Sequence, residues 1–143
     1  MLIDQLNQFS NAQAVTSTGS TPSTNVVDLG VARDISGAAT EYLALLVQVV
    51  TAFTSGGSAT LQVQFQTSLD NATWSNPAIS DAIPVAQLVA GYKFLVNEIP
   101  GPTSRYLRLN YVVGTAAMTG GTLTAAIVPS LDVSSFYPRA YVA

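Results

Sequence analysis

No histidine and no cysteine occurs in the 143 residues, and only 9% of them are charged. Each shortage removes chemistry. Without His or Cys there is no Ser-His-Asp or Cys-His nucleophile arrangement, no zinc finger, no haem-type ligation and no disulfide. The single lysine, Lys93, leaves one candidate for Schiff-base chemistry. Net charge is −3 and the isoelectric point is near 4.4, which argues against nucleic-acid binding, since that needs a basic patch. No apolar run reaches membrane-spanning length: the longest, Tyr42 to Phe53, is interrupted by Gln48 and Thr51. The first residues, Met1 to Asn7, carry no basic segment before an apolar one, so no secretion signal is read there. The expected location is cytosolic, with release only by lysis.

What stands in place of charge is Ser and Thr, 29 in all, with much Ala and Val. An ordinary soluble domain is about 25% charged. A surface this neutral repels copies of itself only weakly. It suits either a Thr-rich β-protein that tolerates low charge or a protein largely covered by other subunits, and the second reading is preferred.

Hydropathy alternates with period two over much of the chain. Ala59, Leu61, Val63 and Phe65 interleave with Thr60, Gln62, Gln64 and Gln66, the pattern of a half-buried strand. Tyr42 to Thr54 is apolar on both faces: Leu45, Val47, Val49 and Phe53 point one way, Leu46, Val50 and Ala52 the other. A strand apolar on both sides implies a covered outer face, and a neighbouring subunit is the expected cover. Ser55-Gly56-Gly57 reads as a hairpin between these two runs. Tyr92 to Val96, Arg105 to Val113 and Leu123 to Ile127 read as an antiparallel meander. Asn25 to Leu29 reads as a shorter strand, with weaker ones at Asp34 to Ile35 and Ala82 to Val85 and a single helical turn ending at Gly91.

The pattern predicts an all-β protein, an antiparallel jelly-roll β-sandwich over residues 24–128, with extended arms at 1–23 and 129–143. The first arm is mostly Ser, Thr, Gln, Asn, Ala and Gly, anchored by Leu2, Ile3, Leu6 and Phe9. The second carries Phe136, Tyr137 and Tyr141. The first arm is expected to order only against a partner, so its deletion is expected to leave the sandwich folded.

Candidate sites are few. Trp74 follows a turn at Asp70-Asn71 and either folds back over the sandwich edge or stacks on a sugar or partner. Asn71-Ala72-Thr73 fits a glycosylation acceptor, which without a secretion signal is accidental. The acids are scattered. Asp70 or Asp81 suits a loop calcium site, but a solvated turn acid is the plainer reading. Arg33 and Arg108 are candidates for charge contacts between subunits. No catalytic, cofactor or metal residue is assigned.

Five stretches carry a family likeness: Phe9 to Thr16, Thr24 to Gly30, Gln66 to Trp74, Leu88 to Tyr92 and Arg105 to Tyr111, the last reading Arg-Tyr-Leu-Arg-Leu-Asn-Tyr. Together they resemble the small jelly-roll capsid cement, or decoration, proteins of short-tailed bacteriophages, over about residues 1–128. The resemblance implies a homotrimer on the outer capsid surface of a virion. There it would clamp neighbouring major capsid protein subunits, with no enzyme activity and no cofactor. The expected interface residues are Leu2, Ile3, Leu6, Phe9, Arg33, Leu46, Val50, Trp74, Arg108, Phe136, Tyr137 and Tyr141. A carbohydrate-binding β-sandwich using Trp74 is the alternative.

Overall fold

The computed structural model describes residues 3–36, 43–94 and 98–129. Leu2, Phe136, Tyr137 and Tyr141, and nearly all of the expected second arm, lie outside the described residues. Among the described residues ten strands follow in chain order: β1 Gln8–Ala14, β2 Gly19–Pro22, β3 Val27–Asp28, β4 Leu43–Thr54, β5 Thr60–Ser68, β6 Ser75–Ile79, β7 Ile83–Pro84, β8 Lys93–Phe94, β9 Tyr106–Gly114 and β10 Gly120–Pro129. One sheet runs β1-β10-β4-β8; the other runs β2-β9-β5-β6, with β3 added to β9 and β7 to β5.

This order is a nested hairpin rolled onto itself. β5 pairs with β6, β4 with β8, β2 with β9 and β1 with β10, all antiparallel. Rolling then lays β10 against β4 and β9 against β5. The result is the jelly roll, two Greek keys closed into a sandwich.

The core follows from the alternation. Leu61, Val63 and Phe65 of β5 face Leu107, Leu109, Tyr111 and Val113 of β9 on the inner side of the second sheet. Leu45, Val47, Val49, Leu123, Ala125 and Ile127 line the first. At the end of β4 the period is rescued by a bulge. Gly121 sits at φ +127° with Phe53 packed on it, so close that a Cβ there would overlap the ring.

Three expectations are corrected. First, residues 8–22 are not an arm: β1 and β2 belong to the sandwich, and Phe9 and Val15 are fully buried in its core. Small polar residues hid β1, and its pairing with β10 slips twice, between Gln8 and Ser10 and between Ser10 and Gln13, where Ala12 adopts φ +46°, so no clean period of two survives. Second, Ser55-Gly56-Gly57 is not a hairpin: β4 and β5 lie in different sheets, so this loop arches between them. Third, β8, β9 and β10 are not a meander, because the middle one lies in the opposite sheet. Alternation tells which side chains face inward; it does not tell which sheet a strand joins. Asp34 and Ile35 lie outside any strand, whereas the weak Ala82 to Val85 signal contains β7. The turn before Gly91 is a short 3-10 turn, Val85–Gln87, and Gly91 itself takes φ +86°.

Phe9 stacks edge-on against Phe65 across the core at 6.5 Å between ring centres. Beside it, Ser10 Oγ donates to Gln13 Oε1 at 2.6 Å, so the Tyr111 hydroxyl, 2.8 Å away, donates to Ser10. Gln13 in turn donates to the Pro22 carbonyl and accepts from Thr24 N. This chain of bonds ties β1 to β9 through the core, and burial pushes the Tyr111 phenol well above its ordinary value.

Phe9→Ala should lower unfolding free energy by about 3–5 kcal/mol, the usual range for a buried Phe, and Tyr111→Phe by about 1 kcal/mol, read from urea denaturation. Deleting residues 1–23 should abolish the cooperative thermal transition in circular dichroism. A truncated chain melting like the intact one would contradict the placement of β1 and β2.

Candidate interaction face

The outer face of the second sheet is built from the polar half of two alternating strands. The β5–β9 register sets Ser68 opposite Tyr106, Gln66 opposite Arg108, Gln64 opposite Asn110 and Gln62 opposite Val112. The side chains engage one another. Asn110 Nδ2 donates to Gln64 Oε1 at 2.9 Å and to Ser20 Oγ at 3.3 Å. Gln66 Nε2 donates to Asn76 Oδ1 at 2.8 Å, and Gln62 Nε2 to the Ser80 carbonyl at 3.0 Å. Gln66 and Asn110 are buried despite facing outward, because the amide ladder covers itself. Cross-strand pairs of this kind stiffen a sheet without adding charge.

One end of the ladder carries Trp74. Asp70 turns the chain there: its Oδ1 accepts from Ala72 N at 2.9 Å and Thr73 N at 2.8 Å, and Asn71 takes φ +58°. These bonds, chiefly that from Thr73 N, hold the Asp70 carboxyl well below the ordinary carboxylate range. The turn returns Trp74 over the sheet, where the Arg108 guanidinium lies 4.0 Å from the centre of its ring. Arg108 Nε donates to Gln66 Oε1 at 2.6 Å. Trp74 therefore folds back as the plainer reading expects, and the structure joins it to Arg108, two candidates that the sequence did not connect.

The remaining candidates lie elsewhere. Arg33 is exposed, and its carbonyl accepts from Thr103 Oγ1. Leu46 is no free contact residue: it is 2% exposed and clusters with Ala126 and Val128 on the outer side of the first sheet, while Val50 on that face is half-exposed. Phe9 belongs to the core, whereas Leu6, within the Asp4-capped turn Gln5–Asn7, is 82% exposed and Ile3 is partly exposed. Among the described residues no three acidic side chains gather as a metal site, and the Asp70 oxygens are engaged by their own turn. A cleft of about 420 Å³ opens between β8 and β6; Phe65, Ile83, Tyr92 and Phe94 are among its walls, and its charged linings are Asp81 and Lys93.

Two further charged residues, Arg105 and Asp34, pin the loops around this face. Arg105 makes a bidentate pair with Asp28, Nε to Oδ1 at 2.8 Å and Nη2 to Oδ2 at 2.9 Å. Both partners are about two-fifths exposed, which limits its strength. Asp34 Oδ1 accepts from Ser36 Oγ and N and from Thr103 N, fastening the 33–36 segment to the loop before β9. The Arg105 bond lowers Asp28 to about 2, and the Ser36 hydroxyl first among several donors lowers Asp34 to about 2.

These features define a jelly-roll sandwich whose second sheet carries a broad, self-bonded polar face with Arg108 set in it. The chain matches the Bbp16 family over residues 9–127, from inside β1 to inside β10, and it belongs to that family. No curated protein matches it.

Depressed carboxyls stabilise the fold while ionised, so their contribution is complete above the ordinary value of 3.8 and is lost as pH falls towards about 2. The chain has no histidine, the side chain whose ordinary value falls between about pH 5 and 8. Melting temperature should stay level across that interval and drop below about pH 4. Asp34→Asn should flatten part of the drop. An equal drop in the variant would remove Asp34 from the account. Arg108→Ala should shift Trp74 fluorescence emission and cost about 0.5–1 kcal/mol of stability.

Proposed function

We propose that this protein is a virion structural protein, a capsid cement or decoration protein of a bacteriophage. On this reading it sits on the outer shell as a homotrimer and clamps neighbouring major capsid subunits without catalysing a reaction. The observation that carries the reading is the outer face of the second sheet, a self-bonded polar surface in which Arg108 lies over the Trp74 ring. Membership of the Bbp16 family, the jelly-roll fold and the likeness of five sequence stretches to cement proteins support it. Clamping works by burying surface at many repeated positions. Each contact contributes roughly 25 cal/mol per Å² of apolar area before association costs, and repetition over a shell adds avidity. The exposed Leu6 and half-exposed Val50 supply apolar area for such contacts. The sugar-binding alternative is weakened by the stack, since one face of the Trp74 ring already carries Arg108.

The purified protein should scatter light as a trimer of about 45 kDa, three times 14.9 kDa. It should co-sediment saturably with mature shells lacking it and raise the temperature at which they release DNA. A species near 15 kDa at micromolar concentration would end the trimer proposal, and absence of shell binding would end the decoration proposal.

A further inference from the structure

Arg108 is held but not satisfied. Its Nε is bonded to Gln66, which Asn76 fixes in turn, and its Cζ lies over the Trp74 ring. The two Nη groups, with four N–H donors between them, have no hydrogen-bond partner among the described residues. Among the described residues no acid forms an ion pair with it, and burial pulls the Arg108 pKa down. Arg105, three residues earlier, differs: Asp28 occupies both its Nε and Nη2. A guanidinium held at Nε and over an indole ring, with both Nη groups left to bond, is preorganised for two parallel bonds to a carboxylate.

We propose that Arg108 receives an Asp or Glu carboxylate of a protein partner seated on the outer face of the second sheet. Charge complementarity identifies the occupant, because Arg108 is the cation set within the otherwise uncharged β5–β9 amide ladder. A sugar fits less well. The surrounding Gln, Asn and Ser groups are engaged with one another, and the guanidinium covers one indole face. That the partner is a shell subunit rests on the decoration reading; the carboxylate chemistry does not.

The two are tested separately. The ¹⁵N-labelled protein is titrated with sodium acetate against sodium chloride at equal ionic strength. The Arg108 Nε–H and Trp74 indole N–H resonances should move along a saturating curve with acetate, while Arg105 stays still. Arg108→Lys, which keeps the charge and loses the fork, should weaken the Trp74 response at least about threefold. Resonances that follow the chloride control, or that move no more than Arg33, would overturn the carboxylate site. In a second arm, Arg108→Gln should weaken attachment to purified shells at least about tenfold, measured well below the melting temperature. Undiminished attachment would overturn the proposal while leaving decoration intact. Failure of the unaltered protein to bind shells would overturn decoration and leave the acetate result to stand alone. Saturable glycan binding lost in Arg108→Gln, without shell binding, would assign the site to a sugar instead.

Discussion

The register between β5 and β9 is the constraint on which the rest depends. It runs unbroken from Thr60 opposite Gly114 to Ser68 opposite Tyr106. Because side chains alternate, a slip of one residue would send Leu61, Val63 and Phe65 outward and bury Gln62, Gln64 and Gln66. The apolar core and the amide ladder are thus two sides of one decision. The same register sets Arg108 beside Gln66, and so aims the guanidinium where the returning Asp70 turn delivers Trp74.

Most of this was legible where side chains are large and alternate cleanly. The inner faces of β4, β5, β9 and β10 can be read directly from Leu45, Val63, Leu109 and Ile127, all of which lie in the core. The legible part ends at the edges. β2 has no large apolar side chain to mark it, and β6 contains Pro77, which suits an edge strand but spoils a sequence signal. β1 pairs through two slips, so its inward residues fall out of period. Sheet membership was illegible for a different reason: it is decided by long-range pairing, on which local hydropathy is silent.

Of the candidate site, the residue types were legible and their meeting was not. Trp74 and Arg108 are far apart in sequence and come together only through β6 and β9 pairing on either side of β5. The chain from Tyr111 through the buried Ser10 to the half-buried Gln13 is not legible because Ser and Gln in a polar stretch look like solvent-facing residues. In the fold they are what lets a polar strand sit on an apolar core, each polar atom meeting another.

Nested pairing also dictates the order in which the chain can acquire its structure. β5 and β6 are joined by a short turn and can meet early, whereas Ser10 finds Ala125 only after the intervening chain exists. Closing such distant contacts carries a large loop entropy, and high contact order slows folding. During synthesis the first strand therefore leaves the ribosome long before its partner. Until β10 appears, Phe9 and Val15 have an incomplete core to enter. Completion falls at the last strand, so a ribosome that stalls before β10 holds a chain with exposed strand edges, the kind of species that aggregates.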